Sequence, residues 1–324
     1  MYAEITENSN GLNMNTAKNK NISKRVYFIP QILIILLSFF ISFNLSPLIS
    51  DYVFLGLKLC AVSIIGSVFP FLILTDLIVS FSHFERIKPL RLLFEKLFKI
   101  NGYALSAFLS GVLCGFPIGV KVSSDLYCRG TVSKDEFERL ICFSNNTGPA
   151  FIISGIGVSM LGNLKTGVVL YFSMLISAIL VGVLTGIGKE KSNLDIYPEN
   201  PDFDFVSSIK NASLNTLNIC AFITFFSVIS GICAFLIKNT AVYLFLLPFI
   251  EIGNASKALS ENTLFSPALT LMLISFAVSF SGISVHAQAK AFIPKEVRMV
   301  KYFLCKLLQG TFSAIITFFL YKLI

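Results

Sequence analysis

The chain alternates between apolar runs of about twenty residues and short polar segments, and this spacing predicts a bundle of membrane-spanning helices. Because the hydrocarbon core of a bilayer is about 30 Å thick, a helix of about 20 apolar residues crosses it. The residues before the first run are polar and end in a basic cluster, which predicts a disordered cytoplasmic tail over residues 1–26. The apolar runs cover about residues 27–43, 52–82, 166–187, 214–237 and 302–323.

Two further apolar stretches are interrupted by residues that break helices. Between Gly111 and Gly162 the sequence is apolar at both ends, but it contains a Gly-Phe-Pro-Ile-Gly break and a polar Ser-Asn-Asn-Thr-Gly-Pro run. Non-helical backbone at membrane depth persists only where it is buried in protein or lines a cavity. We therefore predict a re-entrant hairpin over residues 103–128 and a broken helix over residues 140–161.

The second half of the chain repeats this order, with a hairpin over residues 241–264 and a broken helix over residues 266–288. Counted from a cytoplasmic N-terminus, the two hairpins enter from opposite sides, so the halves have inverted topology. The predicted fold is an all-α polytopic membrane protein with about seven spans and two re-entrant hairpins. Its parts are a first span at 27–50, a first repeat at 51–190, a cytoplasmic linker at 191–212 and a second repeat at 213–324.

Composition agrees with an integral membrane protein and argues against a nucleic-acid partner. Hydrophobic residues make up 55% of the 324 residues and charged residues only 14%, whereas soluble domains carry about 25% charged residues. The net charge of +8 comes from basic residues in short loops between apolar runs, as the positive-inside rule requires. The amphipathic segment 83–101 is basic and is typical of a helix that lies in the cytoplasmic interface.

The residue types do not predict an enzyme or a metal site. The two histidines, His83 and His286, are far apart, and the seven cysteines are scattered without a Cys-x-x-Cys pair. We interpret the cysteines as small apolar packing residues. A membrane-embedded enzyme, the rival class, would need paired carboxylates or a second histidine at mid-membrane.

The candidate substrate site lies at the helix breaks, because half-helix ends present unpaired amide and carbonyl groups to a ligand. Polar side chains are few there. The substrate-binding candidates are Lys121, Ser144, Asn145, Asn146, Thr147, Glu251, Asn254, Lys257, Ser281, His286 and Gln288. The backbone breaks are predicted at Gly115, Pro117, Gly119, Gly148, Pro149, Gly253 and Gly282.

Several of these residues also have a purely structural interpretation. Lys121 and Lys257 are either functional intramembrane cations or snorkel to the interface. Glu251 either pairs with Lys257 or holds a coupling proton or sodium ion, and no other cofactor is expected. His286 acts either by protonation or as a packed polar residue. The run that begins at Asn145 either lines the site or forms hydrogen bonds between helices.

The stretch SGVLCGFPIGVKVSSDLYCRGTVSKDEFERLICFSNNTGPAFIISGIG resembles the signature of the YlbJ/SpoVV sporulation integral membrane proteins, within the nucleoside-recognition (Gate) domain superfamily. The segments FIEIGNASKAL and SFSGISVHAQ resemble the second-repeat motifs of that family. The resemblance covers about residues 50–290 and leaves the polar N-terminal tail outside. It implies a fold related to that of concentrative nucleoside transporters, with two opposed hairpins.

The resemblance also implies a function, which is to move dipicolinic acid across the outer forespore membrane of a spore-forming bacterium. Dipicolinate is a flat pyridine ring with two carboxylates, so its site needs cationic and amide donors. We expect Lys121 and the break that begins at Asn145 to bind one carboxylate and the second repeat to bind the other. A nucleoside or nucleobase carrier and a non-transporting scaffold of the sporulation membrane stay open as alternatives. The expected partners are membrane lipid and a small anionic or heteroaromatic solute, and a homo-oligomer is compatible with the sequence.

Overall fold

The computed structural model describes residues 45–81, 87–192 and 204–323. The predicted cytoplasmic tail, the apolar run at 27–43 and the middle of the predicted linker therefore lie outside the described residues. The chain forms two units, one up to Asp51 and the other from Tyr52 onward. The packing and the cavities described below belong to the second unit.

The described residues are helical, with no β-strand among them. Two segments are π-helices, with i→i+5 hydrogen bonds. A short one (Cys60–Ile64) follows α1, and a longer one (Ala150–Met160) follows α6. The α-helices are α1 (Ser46–Leu59), α2 (Ile65–Phe81), α3 (Lys88–Phe98), α4 (Leu105–Cys114), α5 (Ile118–Cys128), α6 (Lys134–Ser144), α7 (Leu164–Gly186), α8 (Phe205–Leu236), α9 (Thr240–Ile250), α10 (Ile252–Glu261), α11 (Pro267–Phe280), α12 (Gly282–Lys290) and α13 (Met299–Leu320).

Four stretches in the described residues are long and apolar enough to cross a membrane: α7, α8, the α11–α12 pair and α13. A fifth counts only if α3 and the helical segment Gly102–Cys114, bent by 101°, are taken as one span. These helices support a polytopic membrane protein. The larger number predicted from the sequence, about seven, included the run at 27–43 and two segments that the structure interrupts. One of them contains the π-helix after α1, and the other breaks after Ser144.

Polar caps determine where two helices begin. α8 begins at Phe205, inside the segment predicted as a linker, because the Asp204 carboxylate accepts two hydrogen bonds from amides of the first turn at 3.2 and 3.1 Å. α6 begins at Lys134 rather than at residue 140, because Ser133 and Glu136 form a capping box. Both helices are therefore longer than their apolar runs.

Glu136 also joins three segments outside the membrane-spanning part. Its carboxylate accepts hydrogen bonds from the backbone amides of Asn101, Ser133 and Ser192 at 2.8, 2.9 and 2.9 Å. Burial disfavours the charged carboxylate, but these hydrogen bonds and one from the Ser192 hydroxyl outweigh that effect, so the pKa of Glu136 lies below its ordinary value. The charged carboxylate thus fixes two segments on the start of α6: the turn before α4, and the stretch at Ser192 that follows α7.

The amphipathic segment predicted at 83–101 contains α3, which packs against the bundle. It buries Phe94 and Phe98 and leaves leucines of its opposite face exposed. The fully buried Arg139 of α6 donates to the carbonyl oxygens of Phe98 and Lys99 at 2.9 and 2.8 Å. These charge-assisted bonds satisfy carbonyls at the C-terminal end of α3 and fix it on α6.

The first hairpin consists of α4 and α5, and it packs closely against the end of α6. A Cβ atom built at Gly111 or Gly119 would lie 1.6 or 1.9 Å from the carbonyl oxygen of Ser144. Only glycine allows this approach of backbone to backbone. The small residues of the hairpin thus allow it to approach α6 closely.

Candidate functional site

Four breaks in the helices of the second unit meet around one small cavity of about 40 Å³. They are the tip of the first hairpin, the break after α6, the tip of the second hairpin and the beginning of α12. Apolar side chains from α2, α4, α8 and the longer π-helix provide most of the wall. Its polar side chains are Thr147, Glu251, Ser284 and Gln288.

In each half, the hairpin tip packs on the break of the broken helix. In the first half Gly115 has a φ of +82°, and a Cβ atom there would lie 2.6 Å from the amide nitrogen of Gly148. In the second half Gly282 has a φ of +60°, and its Cβ atom would lie 3.0 Å from the carbonyl oxygen of Ile250. Backbone meets backbone at both places, which favours glycine.

Glu251 forms the cavity wall at the tip of the second hairpin. Its buried carboxylate accepts hydrogen bonds from the backbone amides of Gly253 and Asn254 at 2.8 and 2.6 Å. The side-chain amide of Asn254 also donates to Glu251 at 2.9 Å, and it donates to the Ser227 hydroxyl at 2.8 Å. Glu251 therefore caps α10, and the positive end of that helix offsets its charge.

A second cavity, of about 500 Å³, lies next to Asn254. Asn254 separates the two cavities, since it lines this one and hydrogen-bonds to Glu251 in the other. Lys257 forms an ion pair with Glu261 at 2.7 Å. The predicted alternative that pairs Glu251 with Lys257 is therefore wrong, because the i,i+4 spacing on α10 places Glu261 beside this lysine. The ionisable side chains of this second cavity are Tyr52, Lys58, Tyr243, Lys257 and Glu261.

A buried polar network behind the first break reaches into α13. The side-chain amide of Asn145 donates to the Tyr302 hydroxyl at 2.7 Å, and the Asn145 carbonyl accepts from the Lys306 ammonium at 2.7 Å. Lys306 also donates to Gln309 at 2.7 Å, and the Gln309 amide donates to the Asn146 side-chain oxygen at 2.9 Å. All five residues are buried. The break is thus held by hydrogen bonds in a low-dielectric environment.

The remaining hydroxyls of the first break are also bonded within the protein. The Ser144 hydroxyl lies 3.0 Å from that of Ser123, and Thr147 donates to the carbonyl of Val278 on α11 at 2.6 Å. Of the polar run, only Thr147 and the glycine after it line the cavity. The two asparagines instead form hydrogen bonds behind the break, as in their structural interpretation.

The sequence analysis missed three members of this network: Tyr302, Lys306 and Gln309. A signal for two of them is present in the sequence, because Lys306 lies inside the last apolar run. An ionisable residue within a spanning helix is a functional candidate by default. Gln309 follows three positions later, which places it on the same helix face.

The second break is a single residue, Ser281, with a φ of +77°. In the part of the chain that the structure describes, the Ser281 hydroxyl and both ring nitrogens of His286 are buried without a hydrogen-bond partner. The His286 ring instead contacts the rings of Phe280 and Tyr302 edge to face, at centroid distances of 4.8 and 5.2 Å. Gln288 lies two residues further on, about 200° around the helix, and therefore reaches the cavity.

Three predicted positions need correction. Lys121 is exposed and does not line the cavity. It follows Gly119 by two residues, so it lies about 200° away from the face that packs on α6. Gly119 and Gly253 are not breaks, because they lie in the first turns of α5 and α10. The tips are at Gly115 to Pro117 and at Glu251, where the capping carboxylate begins the next helix directly.

The cavity combines apolar walls with a few polar groups, which is the lining typical of small-molecule sites. The two prolines of the first half, Pro117 and Pro149, are the residues directly before α5 and the longer π-helix.

Within the described residues, no three His, Cys, Asp or Glu side chains are grouped to hold a metal ion.

The chain is similar to a known sporulation protein. It is 25% identical over 311 residues to the sporulation integral membrane protein YlbJ of Bacillus subtilis (strain 168), and the match covers 82% of this chain and 76% of the relative. The resemblance to the YlbJ family is therefore confirmed. No family model and no solved structure matches the chain.

Proposed function

We propose that this relative of a sporulation integral membrane protein is a transporter for a small anionic heteroaromatic solute, and that the solute is dipicolinic acid. The solute binds in the cavity between the hairpin tips and crosses the membrane by alternating access. In a spore-forming bacterium the protein acts in the outer forespore membrane, with its N-terminus in the cytoplasm.

The observation that carries this proposal is the meeting of four helix breaks at one cavity. A break at membrane depth removes backbone hydrogen bonds and must be compensated by neighbouring groups. A scaffold that only packs its helices does not need four such breaks in one place.

The order of helices in the two halves supports alternating access. Each half contains a hairpin, then a broken helix and then a long helix, and in each half the hairpin tip packs on the break. Inverted repeats of this kind move against each other around a site at their interface. With the N-terminus in the cytoplasm, the two hairpins enter from opposite sides, so opening each tip in turn exposes the cavity to each side in turn.

The walls of the cavity suit a flat ring that carries carboxylates. Phe116 and Phe151 offer apolar surface for the ring. α5, the longer π-helix and α12 begin at the breaks, and the amide ends of helices attract anions. The charge of Glu251 weakens this attraction for an anion only in part, because backbone amides of α10 already bind its carboxylate. Ser284 and Gln288 carry side-chain donors in the cavity, whereas the Thr147 hydroxyl already donates to the Val278 carbonyl.

Uptake of labelled dipicolinate into proteoliposomes that contain the full chain tests the proposal. We expect uptake above that of protein-free vesicles, and we expect Gln288→Leu to reduce the initial rate about tenfold, because a buried donor to the solute is lost. Lys165→Gln, an exposed change at the start of α7, is the matched control and should leave the rate unchanged.

Two results would contradict the assignment. Uptake of uridine or adenosine without uptake of dipicolinate would favour a nucleoside carrier. No uptake of any of these solutes, together with normal spore dipicolinate in a strain that carries Gln288→Leu, would favour a scaffold.

A further inference from the structure

Lys306 is a buried cation with no role in the solute-binding site proposed above. Its side chain has no exposed surface. Its ammonium donates to the Asn145 carbonyl and to the Gln309 side-chain oxygen, both at 2.7 Å, and both acceptors are neutral. A charge without a counter-charge in a low-dielectric interior is costly, so a lysine in such a place is a functional candidate.

Within the described residues, Lys306 forms no ion pair with a carboxylate. α6, which packs against α13, carries three: Asp135 pairs with Arg139 and Lys189, Glu136 accepts the hydrogen bonds described above, and Glu138 lines a pocket with Lys301 and Cys305. α11, which packs along α13, carries no ionisable side chain, and α7 carries only the exposed Lys165 and Tyr171, whose hydroxyl donates to a carbonyl of α4. The other ionisable groups near Lys306 are Lys301, Tyr302 and Cys305 on α13, Cys142 on α6 and His286 on α12.

Both hydrogen bonds of Lys306 survive the loss of its proton. An ammonium has three N–H donors and a neutral amine has two, and the structure uses two, toward Asn145 and Gln309. When the third N–H bond breaks, in a state of the carrier that admits water to Lys306, the proton passes to that water and its electron pair stays on Nζ. The change therefore alters the charge behind the break without removing a hydrogen bond.

Lys306 is connected to the cavity through the first break. It binds the carbonyl of Asn145 directly, and through Gln309 it holds Asn146, while the next two residues, Thr147 and Gly148, line the cavity. A positive charge directly behind this wall attracts an anion in the cavity, and the anion in turn favours the charged lysine.

We propose that Lys306 is the proton-binding group of the transporter, so that an anionic solute and one proton bind, cross and leave together. The inference rests on the proposed transport function and adds a proton gradient as the force that drives transport. The neutral lysine lets the empty carrier return without a charge behind the cavity.

The test uses the full chain in proteoliposomes that contain a pH-sensitive dye, with protein-free vesicles as the background. Addition of dipicolinate outside should acidify the lumen as uptake proceeds, and uptake should rise when the outside is made more acidic than the lumen, without a requirement for sodium. Lys306→Gln should lower uptake about tenfold and abolish its pH dependence. Lys306→Arg keeps the charge permanently, so it should bind dipicolinate without releasing a proton and should not complete net uptake. Lys210→Gln, an exposed change on α8, is the control.

The outcomes separate this inference from the proposed function. Dipicolinate uptake without luminal acidification, or uptake that requires sodium, would overturn the inference and leave the transport function standing. Proton-coupled uptake that persists in Lys306→Gln would also overturn it. A wild-type protein that takes up no dipicolinate would overturn both. The wild-type measurements need no variant, so they decide the question even where Lys306→Gln fails to fold.

Discussion

The two helix breaks beside the cavity are built differently. The first contains several residues after α6. Side chains of α13 are hydrogen-bonded to it, including the Gln309 amide to Asn146, and its Thr147 hydroxyl donates to a backbone carbonyl of α11. The second is one residue, Ser281, in the left-handed region. Within the described residues, its hydroxyl and the ring nitrogens of the nearby His286 have no hydrogen-bond partner.

This difference indicates a division of roles between the halves. The first break is held to distant helices by several hydrogen bonds, although the side-chain oxygen of Asn145 has no partner in the described residues. Buried groups without partners cost free energy in the arrangement that leaves them so, and in the same part of the chain the second break has no such bonds to offset that cost. We therefore expect the first break to stay fixed on α13 through the proposed transport cycle. The second break should rearrange, and a state in which His286 and Ser281 reach water or solute would recover that free energy.

The largest effect should come from the close backbone contact in the first half. Gly111→Ala would place Cβ 1.6 Å from the Ser144 carbonyl oxygen, so backbone must move, and we expect a loss of more than about 3 kcal/mol or no folded protein. In the second half, Gly253→Ala meets the flexible end of Leu59 at 3.0 Å and should cost about 1 kcal/mol. Thermal unfolding in detergent measures both, and equal losses would remove the contrast between the halves.

A smaller effect should distinguish the first break, which several hydrogen bonds hold to distant helices, from the second break at Ser281. Asn146→Ala removes the acceptor of Gln309 and the donor to the Phe143 carbonyl, and should destabilise the protein by about 2 kcal/mol. Ser281→Ala removes a hydroxyl that has no partner in the described residues and should change stability by less than about 0.5 kcal/mol. The same unfolding assay tests the pair, and a larger loss in Ser281→Ala would reverse our assignment of the rigid break.

The smallest effect should be a gain at the second break. Ser281 has a φ of +77°, which glycine adopts at lower cost, so Ser281→Gly should raise stability by up to about 1 kcal/mol. A lower unfolding temperature for Ser281→Gly would mean that the serine side chain has a bonding role in the folded state.

The sequence predicted much of the local structure around the site. Pro117, Gly148 and Glu251 lie at or next to interruptions of apolar runs, and the cavity forms at these places. The break predicted at Gly253 lies two residues earlier, at Glu251, because a carboxylate that caps the following helix is a less obvious break signal than glycine. Lys121 lies outside the cavity, because position along the chain does not show which face of α5 turns toward α6.

The sequence by itself determined that this is a helical membrane protein with polar interruptions in its apolar runs, because hydropathy and helix-breaking residues act locally. It also carried the resemblance to the sporulation proteins. Only the tertiary structure decided that Lys306, Tyr302 and Gln309 hold the first break, since these residues are more than 150 positions away from Asn145 along the chain. Their contacts depend on how α13 packs beside α6 and α11, and packing of helices in a bilayer depends on side-chain fit and hydrogen bonds between distant segments.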